Sequence, residues 1–366
     1  MARNHAKSRL FRAASLVPIV LIAVLLAGSA HGQSARPDAV FSVHGRITHL
    51  AADGNRAAVT TRLKGGCGRI VVWTEPGKHS VTAKPGILGC DGDGIFELAL
   101  GSGRVSWIEE GGGNTLEMSV MAADFVAGSR KQVEFAANGD RAGGDPEGDW
   151  VGQLLGSGSL LAYNSWTQVC DRPAAEECGT DDPFLRLTNQ KLVRIENGRR
   201  LIVTRGAAAY PLLAVGGGKM AVETAGAVTI RSANGTQVAS VADPAGTAQA
   251  VALSTTRLAI KRTLTLDLYN PATGALVKSV PLGTAASLRL RDVSARLALL
   301  QGSHRLVLIR LSDGKRISFP LSAGAAATLV GGRLTEAGLF YAYNARSSPP
   351  AGRIVFEPIG KLLGRF

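Results

Sequence analysis

Apolar residues along this chain come in short runs, many alternating with polar ones, and turn residues separate the runs. Leu264, Leu266 and Leu268 alternate with Thr265 and Asp267, the period of a half-buried strand. Val228-Thr-Ile230 and Leu306-Val-Leu308 repeat the pattern, and a turn dipeptide follows each run: Asn234-Gly235, Thr273-Gly274 and Asp313-Gly314, spaced 39 and 40 residues apart. The stretch from Tyr210 to Ala323 is thus one unit written three times, with four short apolar runs per copy. Reading backwards, Asn197-Gly198 lies 37 residues before the next such turn, behind the run Lys191-Leu-Val-Arg-Ile195. Helical periodicity is nearly absent.

A period near forty residues with four strands per unit is the signature of a β-propeller blade. Extending the period to both ends predicts seven blades of four antiparallel strands, at about 46–84, 90–137, 148–206, 208–244, 246–282, 284–322 and 324–366. The last unit lacks a proper outer strand, since only Lys361 to Phe366 remains, and Ala39–His44 stands as a spare strand before the first. Lending that N-terminal strand to the C-terminal blade closes the ring and removes open sheet edges; a rival closure uses the tail itself. Blades around one axis form a single domain, here 33–366, whatever the length alone suggests. The 45 glycines suit a chain with many tight turns.

On these repeats the chain resembles the broad seven-bladed propeller class, WD40-like and TolB-like, over nearly all of the sequence after the first thirty or so residues. It has no Trp-Asp blade ending, no Gly-His pair and no kelch-type double glycine with aromatics at fixed spacing. The resemblance therefore implies an all-β fold and no particular activity, since propellers host enzymes and binding platforms alike.

Residues 1–32 read as an export signal. Arg3, Lys7, Arg9 and Arg12 precede the apolar run Leu16–Ala27, and small residues around Ala30 offer a cleavage site. The alternative is an uncleaved anchor, although the run is short for a bilayer span and contains Pro18. Cleavage would take the formal net charge from +13 to about +9. No run of adjacent basic residues exceeds two, so a nucleic-acid stripe is not expected. The mature protein is expected outside the cytoplasm, as a monomer without a membrane span.

Strands alternate in direction, so loops between second and third strands share one end of the propeller with the links between blades. Cys67 and Cys90 both fall at that end, which favours a Cys67–Cys90 bridge, and Cys170 and Cys178 share one loop and favour a second. Such bridges agree with export, whereas the spacings fit no common zinc pattern. The same end gathers acids: Asp91 and Asp93 after Cys90, Asp145 and Asp149 in the link before the third blade, and Asp181 and Asp182 beyond Cys178. Glu109-Glu110 is placed at the corresponding loop of the second blade. Acids are common in any polar loop; if these bind, a basic partner or a hard cation such as calcium is the natural guest. Asp91-Gly-Asp93-Gly is only a fragment of a calcium-loop pattern, so no cofactor is assigned.

Several kinds of chemistry have no visible residues. There is no Gly-x-Ser-x-Gly elbow, no phosphate-binding loop and no helically spaced histidine pair. The tryptophans are most simply blade-packing residues, and Trp150 and Trp166, beside the acidic loops, are the two to test as ligand contacts. The expected function is a secreted platform presenting Asp91, Asp93, Asp145, Asp149, Trp150, Trp166, Asp181 and Asp182 to a protein or envelope-polymer partner. The alternative is an extracellular lyase, glycosidase or esterase with its site on the axis of the same face. Small apolar runs such as Leu212-Leu-Ala-Val-Gly216 predict an apolar axis, which favours the platform.

Overall fold

The computed structural model describes residues 39–62, 68–75, 80–83, 94–112, 115–125, 130–140, 146–172, 178, 183–319, 327–345 and 351–366. The expected signal segment, the Cys67–Cys90 pair and Asp91, Asp93, Asp145, Asp181 and Asp182 lie outside the described residues. Within them, four-stranded antiparallel units begin with the inner strands Arg46–Asp53, Gly94–Gly101, Gly148–Ser157, Leu212–Gly216, Ala250–Leu253, Arg289–Val293 and Ala327–Leu334. The second and third units join into one sheet where Asn138 pairs with Gly148. The last takes its outer strand from the other end of the chain. Ala39–His44 runs antiparallel to Ala351–Pro358, with Ala39 opposite Phe356 and His44 opposite Ala351.

Each inner strand touches that of the next unit, and Ala327–Leu334 touches Arg46–Asp53. The apolar cores follow the same order, each shared by two neighbouring units. Ala51, Ile70 and Val72 pack with Leu98, Trp107 and Met121, and Phe340, Ile354 and Phe356 pack with Ile47, Val59 and Trp73. Trp73 stacks on Phe41 of the N-terminal strand at 5.6 Å and meets the edge of Phe340 at 6.0 Å. Burying side chains of this size contributes about 1.5–3 kcal/mol each. A sheet alone would leave these faces wet, so the units stabilise one another around an axis. The architecture is a β-propeller.

The repeated turn glycines have a conformational cause. Gly235, Gly274 and Gly314 sit at φ 88°, 72° and 75°, where a side chain would be strained. The glycines of the inner strands have another. A Cβ on Gly156 would lie 2.2 Å from the Leu100 carbonyl oxygen, and one on Gly216 would lie 2.0 Å from that of Leu253. Their small size lets successive inner strands meet backbone to backbone.

Among the described inner strands, all but Ala250–Leu253 carry a β-bulge against their second strand, at Thr48, Phe96, Gln153–Leu154, Leu213, Arg291 and Val330. A bulge takes backbone groups out of the ladder and re-aims side chains. Backbone N–H groups of the inner strands are met by side chains of the preceding unit. Asn164 Oδ1 accepts from Leu212 N at 2.5 Å, Gln301 Oε1 from Gly332 N at 3.1 Å, and Asp292 Oδ2 from Leu334 N at 3.0 Å. The same device spans the two ends of the chain: Asn344 Oδ1 accepts from Ile47 N at 2.7 Å, and Asn344 Nδ2 donates to Ile47 O at 2.8 Å.

The C-terminal tail forms a short helix, Ile359–Leu363, with Leu362 buried in the core between the last two units. It adds no strand, so the rival closure by the tail is not the one observed. Glu109 also departs from expectation. It is not at a loop mouth but buried within the strand Arg104–Gly111, where Trp107 Nε1 donates to it at 2.7 Å. No helix among the described residues is long and apolar enough to cross a membrane.

Candidate functional site

The end of the propeller that carries the links between units also carries an aromatic cluster. Trp150 opens the third inner strand and faces Trp166 across the ladder. Their rings are parallel within 6° at 6.5 Å, and Tyr210, in the next link, approaches Trp166 at 5.0 Å. All three are half-buried. Gly152 lets the Trp166 ring lie over the strand, since a Cβ there would stand 3.2 Å from the ring. Trp150 Nε1 donates to Pro146 O at 2.9 Å, whereas Trp166 Nε1 is buried with no hydrogen-bond partner among the described residues. Trp73 and Trp107, by contrast, are core residues.

Acidic groups edge this cluster, and local partners hold those that are described. Asp149 Oδ1 accepts from Thr167 Oγ1 at 2.6 Å, and Glu147 accepts the backbone N–H of Cys170. Asp171 forms a two-bond pair with Arg186, at 2.7 and 3.0 Å, which holds its carboxyl below the usual range. Cys170 and Cys178 are disulfide-bonded and staple the loop that follows Trp166. The structure thus brings Asp149, Trp150 and Trp166 together and adds Tyr210, which the sequence reading missed. Tyr210 lies far along the chain and reaches the pair only because its link crosses to the fourth unit. Among the described residues, no group of three or more His, Cys, Asp or Glu side chains is placed to hold a metal.

The axis is polar, not small and apolar as the inner strands predict. A cavity of about 360 Å³ lies toward the link-bearing end, lined by Glu97, Gln153, Arg289, Arg291, Asp292 and Arg333 among others. A second, of about 220 Å³, lies at the hairpin end and includes Asp53 and Glu336. Asp292 and Arg333 line both, paired at 3.0 Å where the cavities meet. The bulge at Arg291 explains the difference: alternation alone would send neighbouring side chains to opposite faces, yet Arg291 and Asp292 both reach the axis.

Most axial carboxylates are tied to backbone. Burial raises the Glu97 carboxyl, and N–H bonds from Leu154 and Gln153 oppose that shift. Asp53 accepts from Gly158 N at 2.7 Å, and Glu336 accepts from Ala295 N at 3.0 and 3.2 Å. At the hairpin end, then, the carboxylates hold turns in place.

Comparisons with known proteins bear on the fold. No protein-family profile matches the chain, and no curated protein matches it. Among solved structures, it is similar to an acylaminoacyl peptidase from Pyrococcus horikoshii, with 10% identity and a TM-score of 0.52 over 86% of this chain and 51% of that one. It is also similar to a chain of a mitotic checkpoint complex, with 13% identity and a TM-score of 0.50 over 88% of this chain and 94% of that one. PorZ, a surface component of the type-IX secretion system of Porphyromonas gingivalis, aligns at 11% identity and a TM-score of 0.46, over 87% of this chain and 39% of its own. The chain therefore spans well under two thirds of the first of these structures' lengths. At these identities the likeness is one of fold alone.

Proposed function

We propose that this protein is an extracytoplasmic binding platform that docks a protein or envelope polymer on its link-bearing end. The observation that carries this reading is the half-buried cluster of Trp150, Trp166 and Tyr210, edged by Asp149 and stapled by Cys170–Cys178. Flat aromatic faces beside a carboxylate suit peptide side chains and sugar rings alike. The disulfide agrees with an oxidising compartment. Asp91, Asp93, Asp145, Asp181 and Asp182, which the strand order predicts for the same end, are proposed as further contacts.

The polar axis keeps the enzymatic alternative in view. Against it, Glu97 is engaged by two backbone N–H groups and Asp292 by Arg333 and Leu334 N, so neither carboxylate is free for acid–base work. The reading is tested by sedimenting the purified protein with isolated cell envelopes. Trp166→Ala and Asp149→Lys should each reduce pelleting at least tenfold with the circular dichroism spectrum unchanged, and Ser159→Ala, at the hairpin end, should not. Equal pelleting by all four proteins would refute it.

A further inference from the structure

The wider axial cavity holds more cationic than anionic side chains, and among the described residues only one of its three arginines, Arg333, is ion-paired. Arg289, Arg291 and Arg333 line it against Glu97 and Asp292. Asp292 is committed to Arg333 and the Leu334 N–H, and Glu97 to the Gln153 and Leu154 N–H groups. Among the described residues, the Arg291 guanidinium makes no hydrogen bond or ion pair, and its Nε is fully buried. Arg333 Nε is also buried and unmatched. Behind the wall, Lys261 is buried with neutral acceptors only, the Gln249 side chain at 2.5 Å and the Arg262 carbonyl at 3.4 Å.

Two half-buried guanidiniums on adjacent inner strands, sharing a single carboxylate, repel one another. Burial first, then the charges of Arg333 and Arg289, push the Arg291 pKa down, against the attraction of Asp292. Asp292 attracts Arg291 but is bonded to Arg333, so the positive charge at this wall is only partly compensated. The bulge that aims Arg291 at the axis recurs around the ring, but in this strand it delivers a charge where the others deliver the uncharged Thr48, Phe96, Gln153, Leu154, Leu213 and Val330. A chain that needed the bulge only for curvature could carry any of those instead.

We infer that the axial cavity is a binding site for a small oxyanion, a phosphate or carboxylate group, received by Arg291 and Arg333 with Arg289 at the mouth. The planar guanidinium presents paired N–H donors that match two oxygens of either group. The cavity, at about 360 Å³, admits an anion of several heavy atoms. Asp292 sits behind Arg333, fixing its orientation and setting a threshold, because the guest must share Arg333 with it. The site stands apart from whatever docks on Trp150 and Trp166.

The test uses the full mature chain and two probes, inorganic phosphate and malonate. Each is titrated by calorimetry and by thermal unfolding, against sodium chloride at equal ionic strength. One or both probes should bind and raise the unfolding temperature; phosphate alone assigns a phosphoryl guest and malonate alone a carboxylate. Arg291→Gln should weaken binding at least tenfold. Because Arg291 makes no hydrogen bond or ion pair among the described residues, and the Arg333 and Arg289 charges oppose it, the ligand-free variant should unfold no earlier than wild type. Arg333→Gln is the second variant, also weakened in binding, but less stable because it strands Asp292. No response to either probe beyond that of chloride would overturn the inference, as would full-strength binding by Arg291→Gln.

Discussion

Asn344→Ala attacks a buried place where side-chain stitching joins the two ends of the chain. Asn344 is 9% exposed and bonds both the N–H and the C=O of Ile47, at 2.7 and 2.8 Å. Truncation leaves both groups buried without partners. At about 1–3 kcal/mol for each unsatisfied group, the expected loss is about 3 kcal/mol, within a range of roughly 2 to 6. At around 2 °C per kcal/mol for a large domain, the melting temperature should fall by roughly 6 °C. Urea unfolding followed by tryptophan fluorescence and circular dichroism reads the loss, and hydrogen exchange locates it. Amides of Ala39–His44 and Arg46–Asp53 should exchange faster before those of the Leu306–Arg310 sheet do. Asn164→Ala removes the equivalent bonds to Ala209 O and Leu212 N inside the continuous chain. Gln153 Oε1 still accepts from Leu212 N at 3.0 Å, so this variant should cost less, and without opening the seam first. A loss below about 0.5 kcal/mol for Asn344→Ala, or uniform exchange, would refute the reasoning.

Three further outcomes are expected. Tyr163→Phe removes the 2.5 Å donation to Glu134, leaving that buried carboxylate to Ser165 and Arg200, and should cost about 2 kcal/mol by urea unfolding. Burial alone would raise the Asp243 carboxyl, but bonds from Arg262, Ala248 and Thr247 outweigh it and hold the pKa at about 2, below the ordinary 3.8. Its contribution, on the order of 2 kcal/mol, is therefore present above pH 4 and lost as pH falls toward 2, and Asp243→Asn should flatten that part of the stability profile. Replacing Cys170 and Cys178 together by serine opens a loop of sequence separation 8 and should lower stability by about 2.5 kcal/mol in oxidising buffer; an unchanged melting curve would argue against the staple.

The strands were legible because a propeller repeats one hydrophobic pattern, and because the turns at Gly235, Gly274 and Gly314 demand positive φ. The partner of Ala39–His44 followed from a missing outer strand, and the pairing with Ala351–Pro358 has that form. The axis was not legible. Period-two reading assigns each side chain a face by parity, and a single extra residue in the strand resets that parity. Arg291 and Asp292 escaped for this reason, while Gly216, in the run that suggested an apolar bore, faces neighbouring backbone. Tyr210 escaped for another: nothing local to a link residue says which ring it will meet two strands away.

The claim that partners dock on the link-bearing end is tested most directly by placing a photo-crosslinking amino acid at Asp149 in one protein and at Ser159 in another. Both are then irradiated in the cells that make them. Position 149, beside Trp150 and Trp166, should yield adducts of defined mass, and position 159, at the hairpin end, should yield none. Adducts from 159 alone would place the partner on the other end and contradict the account.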